Sequence, residues 1–317
     1  MEKPKISVIT PVYNEEESLP MFFGRVTAIM DKTGYPYEII AVNDGSKDRS
    51  AEILAEHCKA DKRIKAINLS RNFGQQPAFL CGLKNCGGEC AILIDADLQD
   101  PPEIFPEMIA KWQEGYDVVH GIRKKRRGET IFKKFTSAAF MNALSDMSGV
   151  AMPKGSGEFK LYDRKVINAI LSLPERSRYL RIQTAWVGFK EAFVEFDRAE
   201  RELGETKFTV KKMLKTAETG IIPYSNKPLF ISLKVGVFTG LCSLAAFIAF
   251  IVLACIGKPL PLVAWLFPSI GLALSVLLSA NGITNVYLGY VYDEVKRRPV
   301  YIERDKINFG DENDNDR

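Results

Sequence analysis

Residues 91–103 read Ala91-Ile92-Leu93-Ile94-Asp95-Ala96-Asp97-Leu98-Gln99-Asp100-Pro101-Pro102-Glu103. A short apolar run ending in acids is a buried strand that delivers carboxylates at its C-terminal end. The prolines that follow open a helix, where a fixed φ and a missing N–H suit the first turn. The same alternation extends outward on both sides. Ile6–Val12 is a β-branched run followed by Tyr13-Asn14-Glu15-Glu16, and Glu17–Lys32 carries Leu19, Phe22, Phe23, Val26, Ile29 and Met30 at helical spacing. Tyr37–Asn43 is a second strand closing on the turn Asp44-Gly45-Ser46. Helices are expected through Ala51–Cys58 and near Pro77–Lys84, with strands at Ile64–Leu69, Val118–Gly121, Phe159–Tyr162 and Phe193–Phe196. The pattern predicts an α/β domain.

Composition narrows the class. The chain has 317 residues, 46% of them apolar, which excludes global disorder. A formal charge of +4 is too small for a dedicated nucleic-acid binder. Cys81, Cys86 and Cys90 lack C-x-x-C spacing and read as reduced thiols. Met1–Lys5 runs directly into the first strand without a signal-peptide core, so the head is expected in the cytoplasm.

The charge-free stretches are confined to one region. No charged residue occurs from Val235 to Gly257 or from Pro259 to Tyr292. About 20 apolar residues span a hydrocarbon core, so Val235–Gly257 and Leu262–Ala280 are read as two transmembrane helices. Lys211, Lys212, Lys215, Lys227 and Lys234 precede them, and Lys296, Arg297 and Arg298 follow. That bias places both termini in the cytoplasm, on the inner face of the cell membrane. Lys207–Thr219 is basic and amphipathic, as segments lying on a membrane are. The expected division is a head over 1–206, a juxtamembrane segment over 207–228, a two-helix transmembrane hairpin over 229–292 and a cytoplasmic tail over 293–317.

Ligands of open α/β sheets bind beyond strand ends. Glu15, Asp44, Asp95 and Asp97 are all expected there. Asp95 and Asp97, with Gln99 as a third oxygen, suit a hard cation such as Mg²⁺ or Mn²⁺ that binds substrate phosphates. Taken alone, an Asp-x-Asp pair is a weak signal that more often reads as a helix cap beside a surface acid. Arg123 heads the cation block Arg123–Arg127 directly after a strand and is a candidate phosphate ligand. Lys124–Arg127 fit either that site or anionic headgroups.

Read together, Pro11–Glu16, Asn43–Ser46 and Asp95–Glu103 resemble the family 2 glycosyltransferases of GT-A fold. The resemblance assigns Pro11, Tyr13, Glu15 and Asp44 to nucleobase and ribose, Asp95 to the nucleotide sugar, and Asp97 with Gln99 to the metal. Gly157-Glu158-Phe159-Lys160-Leu161, Glu175–Arg181, Gly204–Phe208 and Tyr292–Pro299 resemble its polyprenyl-phosphate branch, which includes bactoprenol glucosyltransferases and dolichol-phosphate mannose synthase-like enzymes. That branch usually has Asp and Arg where this chain has Glu158 and Lys160. Its resemblance implies inverting transfer of a hexose, glucose from UDP-glucose, to polyprenyl (undecaprenyl) phosphate at the lipid bilayer, with UDP-N-acetylhexosamine or GDP-mannose as alternative donors. Such an acceptor arrives ionised, so Glu158 is read as an orienting group or weak base, with a salt-bridged structural Glu as the alternative. Lys133, Lys134, Ser137, Arg178 and Lys207 are the candidate ligands of the lipid phosphate. A polysaccharide synthase is disfavoured, because Gln183-Thr184-Ala185-Trp186 lacks the Gln-x-x-Arg-Trp pattern. A non-catalytic scaffold is disfavoured by the intact acids. The spans can also pack against those of a second copy.

Overall fold

The computed structural model describes residues 4–123, 156–175, 179–197, 227–256 and 261–310. The head is built on one sheet of strands β1 (Ile6–Val12), β2 (Tyr37–Asn43), β3 (Ile64–Leu69), β4 (Cys90–Leu93), β5 (Val118–Arg123), β6 (Ser156–Asp163), β7 (Glu191–Phe196) and β8 (Glu303–Ile307). Their order across the sheet is β7-β5-β6-β4-β1-β2-β3-β8. β1 pairs in parallel with both β2 and β4, and β6 lies antiparallel between β4 and β5. The connecting helices are α1 (Leu19–Thr33), α2 (Ser50–Ala60), α3 (Gln75–Asn85), α4 (Phe105–Gln113), α5 (Arg164–Ser172) and α6 (Leu180–Val187).

The strand sequences explain the layering. β1 is nearly continuous in apolar residues because helices cover both of its faces. Ile6, Val8 and Val12 pack with Phe22 and Val26 of α1 in one core, whereas Ile9 points into a second core with Phe79 and Leu83 of α3. This two-residue alternation carries through Ile39 and Ala41 against Ile40 and Val42 of β2. Cys58, Cys81, Cys86 and Cys90 are buried free thiols within this framework.

One correction concerns the C-terminus. The segment expected as a tail over 293–317 instead, through residue 310, completes a long helix to Lys296 and then returns to the head as β8. β8 pairs antiparallel with β3, while Val300, Tyr301 and Phe309 pack on the α3 side of the sheet. Charged side chains on an edge strand face water, so Glu303-Arg304-Asp305-Lys306-Ile307 shows no apolar alternation to announce it.

A second unit contains α7 (Lys227–Cys255) and α8 (Leu262–Lys296). Two spans were expected; among the described residues one stretch, Leu272–Lys296, is long and apolar enough to cross a membrane. It overlaps the expected second span, Leu262–Ala280, and α8 continues unbroken past Ala280. The expected first span falls on α7. The amphipathic segment over 207–226 and the helix expected at Ile131–Leu144 lie outside the described residues.

Candidate active site

The chain runs from β1 outward to β2 and β3, then returns to the other side of β1 as β4. The point where strand order reverses leaves a crevice beyond the C-terminal ends of β1 and β4. Glu15 follows β1, and Asp95, Asp97 and Gln99 follow β4. Two non-glycine residues beside this crevice, Asn14 and Leu98, hold φ values of 55° and 54°. Left-handed backbone costs about 1 kcal/mol or more at such residues and clusters where a site requires an irregular chain path. The chain has already left β4 after Leu93, and the left-handed Leu98 bends it again between Asp97 and Gln99.

Antiparallel β6 brings in Glu158. Leu93 is the register partner of Lys160, so Asp95 and Glu158 each lie two residues beyond the last pair of the ladder, close enough for the Glu158 charge to act on Asp95. A bulge between His120 and Ile122 shifts the β5–β6 pairing next to it. Such bulges re-aim side chains at sites. Asp95 thus shares its surroundings with Asp97, Asp100 and Glu158. Burial first, then the charges of Asp97 and Asp100, push its carboxyl up to about 7, opposed by a hydrogen bond from Gln75 Nε2 at 2.6 Å. Asp97 Oδ1 accepts from the Gln99 amide at 3.1 Å. Arg123 pairs with the buried Asp100 at 3.3 Å, which ties the last residue of β5 to the acids.

The first two strand exits are tied into one region by their polar side chains. Tyr13 is 44% exposed, and Pro11 precedes it within β1. Glu15 accepts from Ser18 Oγ at 2.7 Å and donates its amide to Ser50 Oγ at 2.9 Å. Asp44 is buried, with its two carboxylate oxygens accepting the Phe73 and Gly74 amides at 2.6 and 2.8 Å. Burial raises its pKa, and those two amides pull against the rise. The residue therefore anchors the loop after β3. Gly45 at φ 67° is required there, since a Cβ would come 2.6 Å from the Arg71 and Asn72 backbone.

Behind Glu158 the sheet face is polar and buried. Arg181 reaches Glu158 at 3.7 Å, and His120 pairs with Glu191 at 3.3 Å. Lys160 is wholly buried, and its ammonium has no hydrogen-bond partner among the described residues. Burial drives its pKa down to about 8, Glu158 and Glu191 oppose that fall, and Arg181 adds to it. An unfolded lysine titrates near ~10.4, so between about 8 and 10 the unfolded chain holds more protons and stability rises with pH. Lys160→Met should remove that rise. Denaturant unfolding at pH 7.5 and 10 should show wild type gaining up to ~3 kcal/mol relative to the variant. An equal difference at both values would place the ammonium in water.

Gln75, Asp100 and Lys160 were absent from the sequence-derived site. Gln75 had a usable signal, as the first residue of the helix after a parallel strand. Lys133, Lys134, Ser137, Arg178 and Lys207 lie outside the described residues.

Among the described residues no three His, Cys, Asp or Glu side chains form a metal-binding group. The donors present are two carboxylates and the buried Gln99 amide. Their chemistry fits a hard divalent ion that takes its other ligands from a diphosphate, and such an ion would relieve the acid crowding at Asp95.

The family model described as Glycosyl transferase family 2 matches residues 7–171. The chain is 44% identical over 297 residues to the uncharacterized glycosyltransferase YkcC of Bacillus subtilis (strain 168), covering 93% of this chain and 92% of that one. It is 42% identical over 303 residues to the uncharacterized glycosyltransferase sll0501 of Synechocystis sp., covering 95% of each. The SfII prophage-derived bactoprenol glucosyl transferase of Shigella flexneri is 36% identical over 299 residues, covering 94% and 97%.

Proposed function

The chain belongs to glycosyl transferase family 2 and is an enzyme of glycosyl transfer from a nucleotide sugar, and on that premise we propose that it moves glucose from UDP-glucose to polyprenyl phosphate at the cytoplasmic face of a membrane. The observation that carries the reading is the convergence of Asp95, Asp97 and Gln99 with Glu158 at the strand-order reversal. Near full-length similarity to a bactoprenol glucosyl transferase supports the choice of acceptor. Membrane anchorage through both long helices is supported by exposed apolar side chains such as Leu241, Ile248, Leu277 and Leu278. Such surfaces need a partner less polar than water.

A phosphate monoester has its second pKa near ~6 and reaches the site ionised. Its oxygen attacks the anomeric carbon as the bond to the nucleoside diphosphate breaks. The electron pair leaves with the diphosphate, and the configuration inverts. No proton need be removed from the nucleophile, in keeping with a chain of two histidines. Asp95, Asp97 and Gln99 would hold Mg²⁺ or Mn²⁺, which when bound neutralises charge building on the departing diphosphate. Glu158, steadied by Arg181, orients the acceptor from β6. Arg123 balances the acids through Asp100.

Radiolabelled UDP-glucose and undecaprenyl phosphate, supplied to the full chain with Mn²⁺, should yield a lipid-extractable sugar. Transfer from UDP-N-acetylglucosamine or GDP-mannose alone would reassign the donor, and no lipid-linked product from any donor would sink the reading. Glu158→Gln should lower kcat by about a hundredfold while leaving the donor KM within about threefold. A near-normal kcat would reduce Glu158 to a salt-bridged structural residue.

A further inference from the structure

Asn43, Asn68 and Asp305 are register partners on adjacent strands β2, β3 and β8, forming one polar row across the sheet edge. Both asparagines are buried. Asn68 Nδ2 donates to Asp305 Oδ1, Asn43 Nδ2 donates to Asn68 Oδ1 at 2.8 Å, and Asn43 Oδ1 accepts the Ser46 amide at 3.0 Å. The turn reached in this way is itself laced to the loop after β1. Ser46 Oγ accepts the Asn14 amide at 3.1 Å, and Asn14 Oδ1 accepts the Lys47 amide at 2.8 Å.

The row has a polarity. A carboxylate can only accept, so Asp305 obliges Asn68 to present its NH₂. That turns the Asn68 carbonyl toward Asn43, which must present its own NH₂. The Asn43 carbonyl is thereby left facing the Ser46 amide. Burial raises the Asp305 pKa, but hydrogen bonds from Asn68 and Arg304 outweigh it and keep the group ionised and accepting. The orientation of a turn beyond β2 is thus set from a strand near the C-terminus.

We propose that Asp305, acting through Asn68 and Asn43, is a positioning residue for nucleotide-sugar binding, because it orients the Asp44-Gly45-Ser46 turn. The proposal rests on the donor reading of that turn. It gives β8 a role in binding besides closing the sheet edge.

Reversing the polarity tests it. Asp305→Lys puts a donor at the end of the row; Asn68 then turns its carbonyl outward, and Asn43 must meet the Ser46 amide with NH₂ against NH. Asp305→Asn preserves an acceptor. The side chain is partly solvent-exposed on an edge strand, so both variants are compatible with the fold. Full-length wild type and both variants would be compared by amide hydrogen exchange over residues 44–50, by UDP and GDP binding, and by donor KM and kcat. Asp305→Lys should exchange about tenfold faster in that segment and raise the donor KM about tenfold, with kcat within about twofold. Asp305→Asn should restore both. Unchanged exchange in Asp305→Lys would overturn the row itself, and a lower melting temperature with unchanged KM would overturn the positioning role. Faster exchange in a protein whose wild type binds neither UDP nor GDP would overturn the donor reading instead.

Discussion

Asp97→Asn should lower glycosyl transfer by about a hundred- to a thousandfold and leave the melting temperature of the head within about 2 °C. The two halves have one cause. Asparagine keeps an oxygen where Asp97 Oδ1 accepts the Gln99 amide, so the kink after β4 retains its hydrogen bond. What disappears is a negative charge from a crowded set of acids. Without a cation that change relieves Asp95, whose carboxyl is held up partly by Asp97. The apo protein should therefore be no less stable. An enzyme holding Mg²⁺ or Mn²⁺ through Asp97, as proposed, would lose a hard ligand for it, and with it charge that would stabilise a departing diphosphate. Turnover across a Mn²⁺ titration, read beside thermal melts with and without metal, checks both halves. Wild-type turnover in the variant would remove Asp97 from the metal site.

Removing residues 299–317 should cost the head about 3–6 kcal/mol, a large part of the roughly 5–15 kcal/mol that holds a domain together. The deletion strips β8 from β3 and uncovers the apolar surface beneath Val300, Tyr301, Ile307 and Phe309. Burying a large apolar side chain contributes about 1.5–3 kcal/mol, and these residues are only partly buried. Polar contacts go as well: Glu303 accepts from Asn85 Nδ2 at 2.9 Å, and Asn308 Nδ2 reaches the Ile64 carbonyl at 2.7 Å. The bared edge of β3 is then open to pairing with another chain. Lower melting temperature, faster proteolysis and concentration-dependent association are the expected readouts. A truncated protein that melts like the full chain would show that β8 contributes no stability.

The two results bear on how much was legible in residue order. The strands around Ile6–Val12, Tyr37–Asn43 and Ile64–Leu69 announce themselves because a sheet covered on both faces needs continuous apolar runs. The acids at their ends stand out against those runs. Leu98 and Asn14, with their left-handed backbone, are harder to foresee, since neither residue type marks that conformation as glycine would. β8 escaped because edge strands are written in charges. Nothing in the residue types of Asn43 and Asn68 marks them as neighbours; the pairing of β2, β3 and β8 brings their side chains and Asp305 into one row. Apolar periodicity tells which face a residue occupies but not which strand lies beside it.

Local composition was enough to settle an α/β head, carboxylates at its strand ends and long apolar helices toward the C-terminus, because each is a short-range consequence of side-chain hydrophobicity and charge. Only the folded chain could decide that Glu158 shares the surroundings of Asp95, and that a strand near the C-terminus governs a turn near the start. Those juxtapositions come from hydrogen-bond pairing between segments remote in sequence, whose partner and register depend on the packing of the whole sheet.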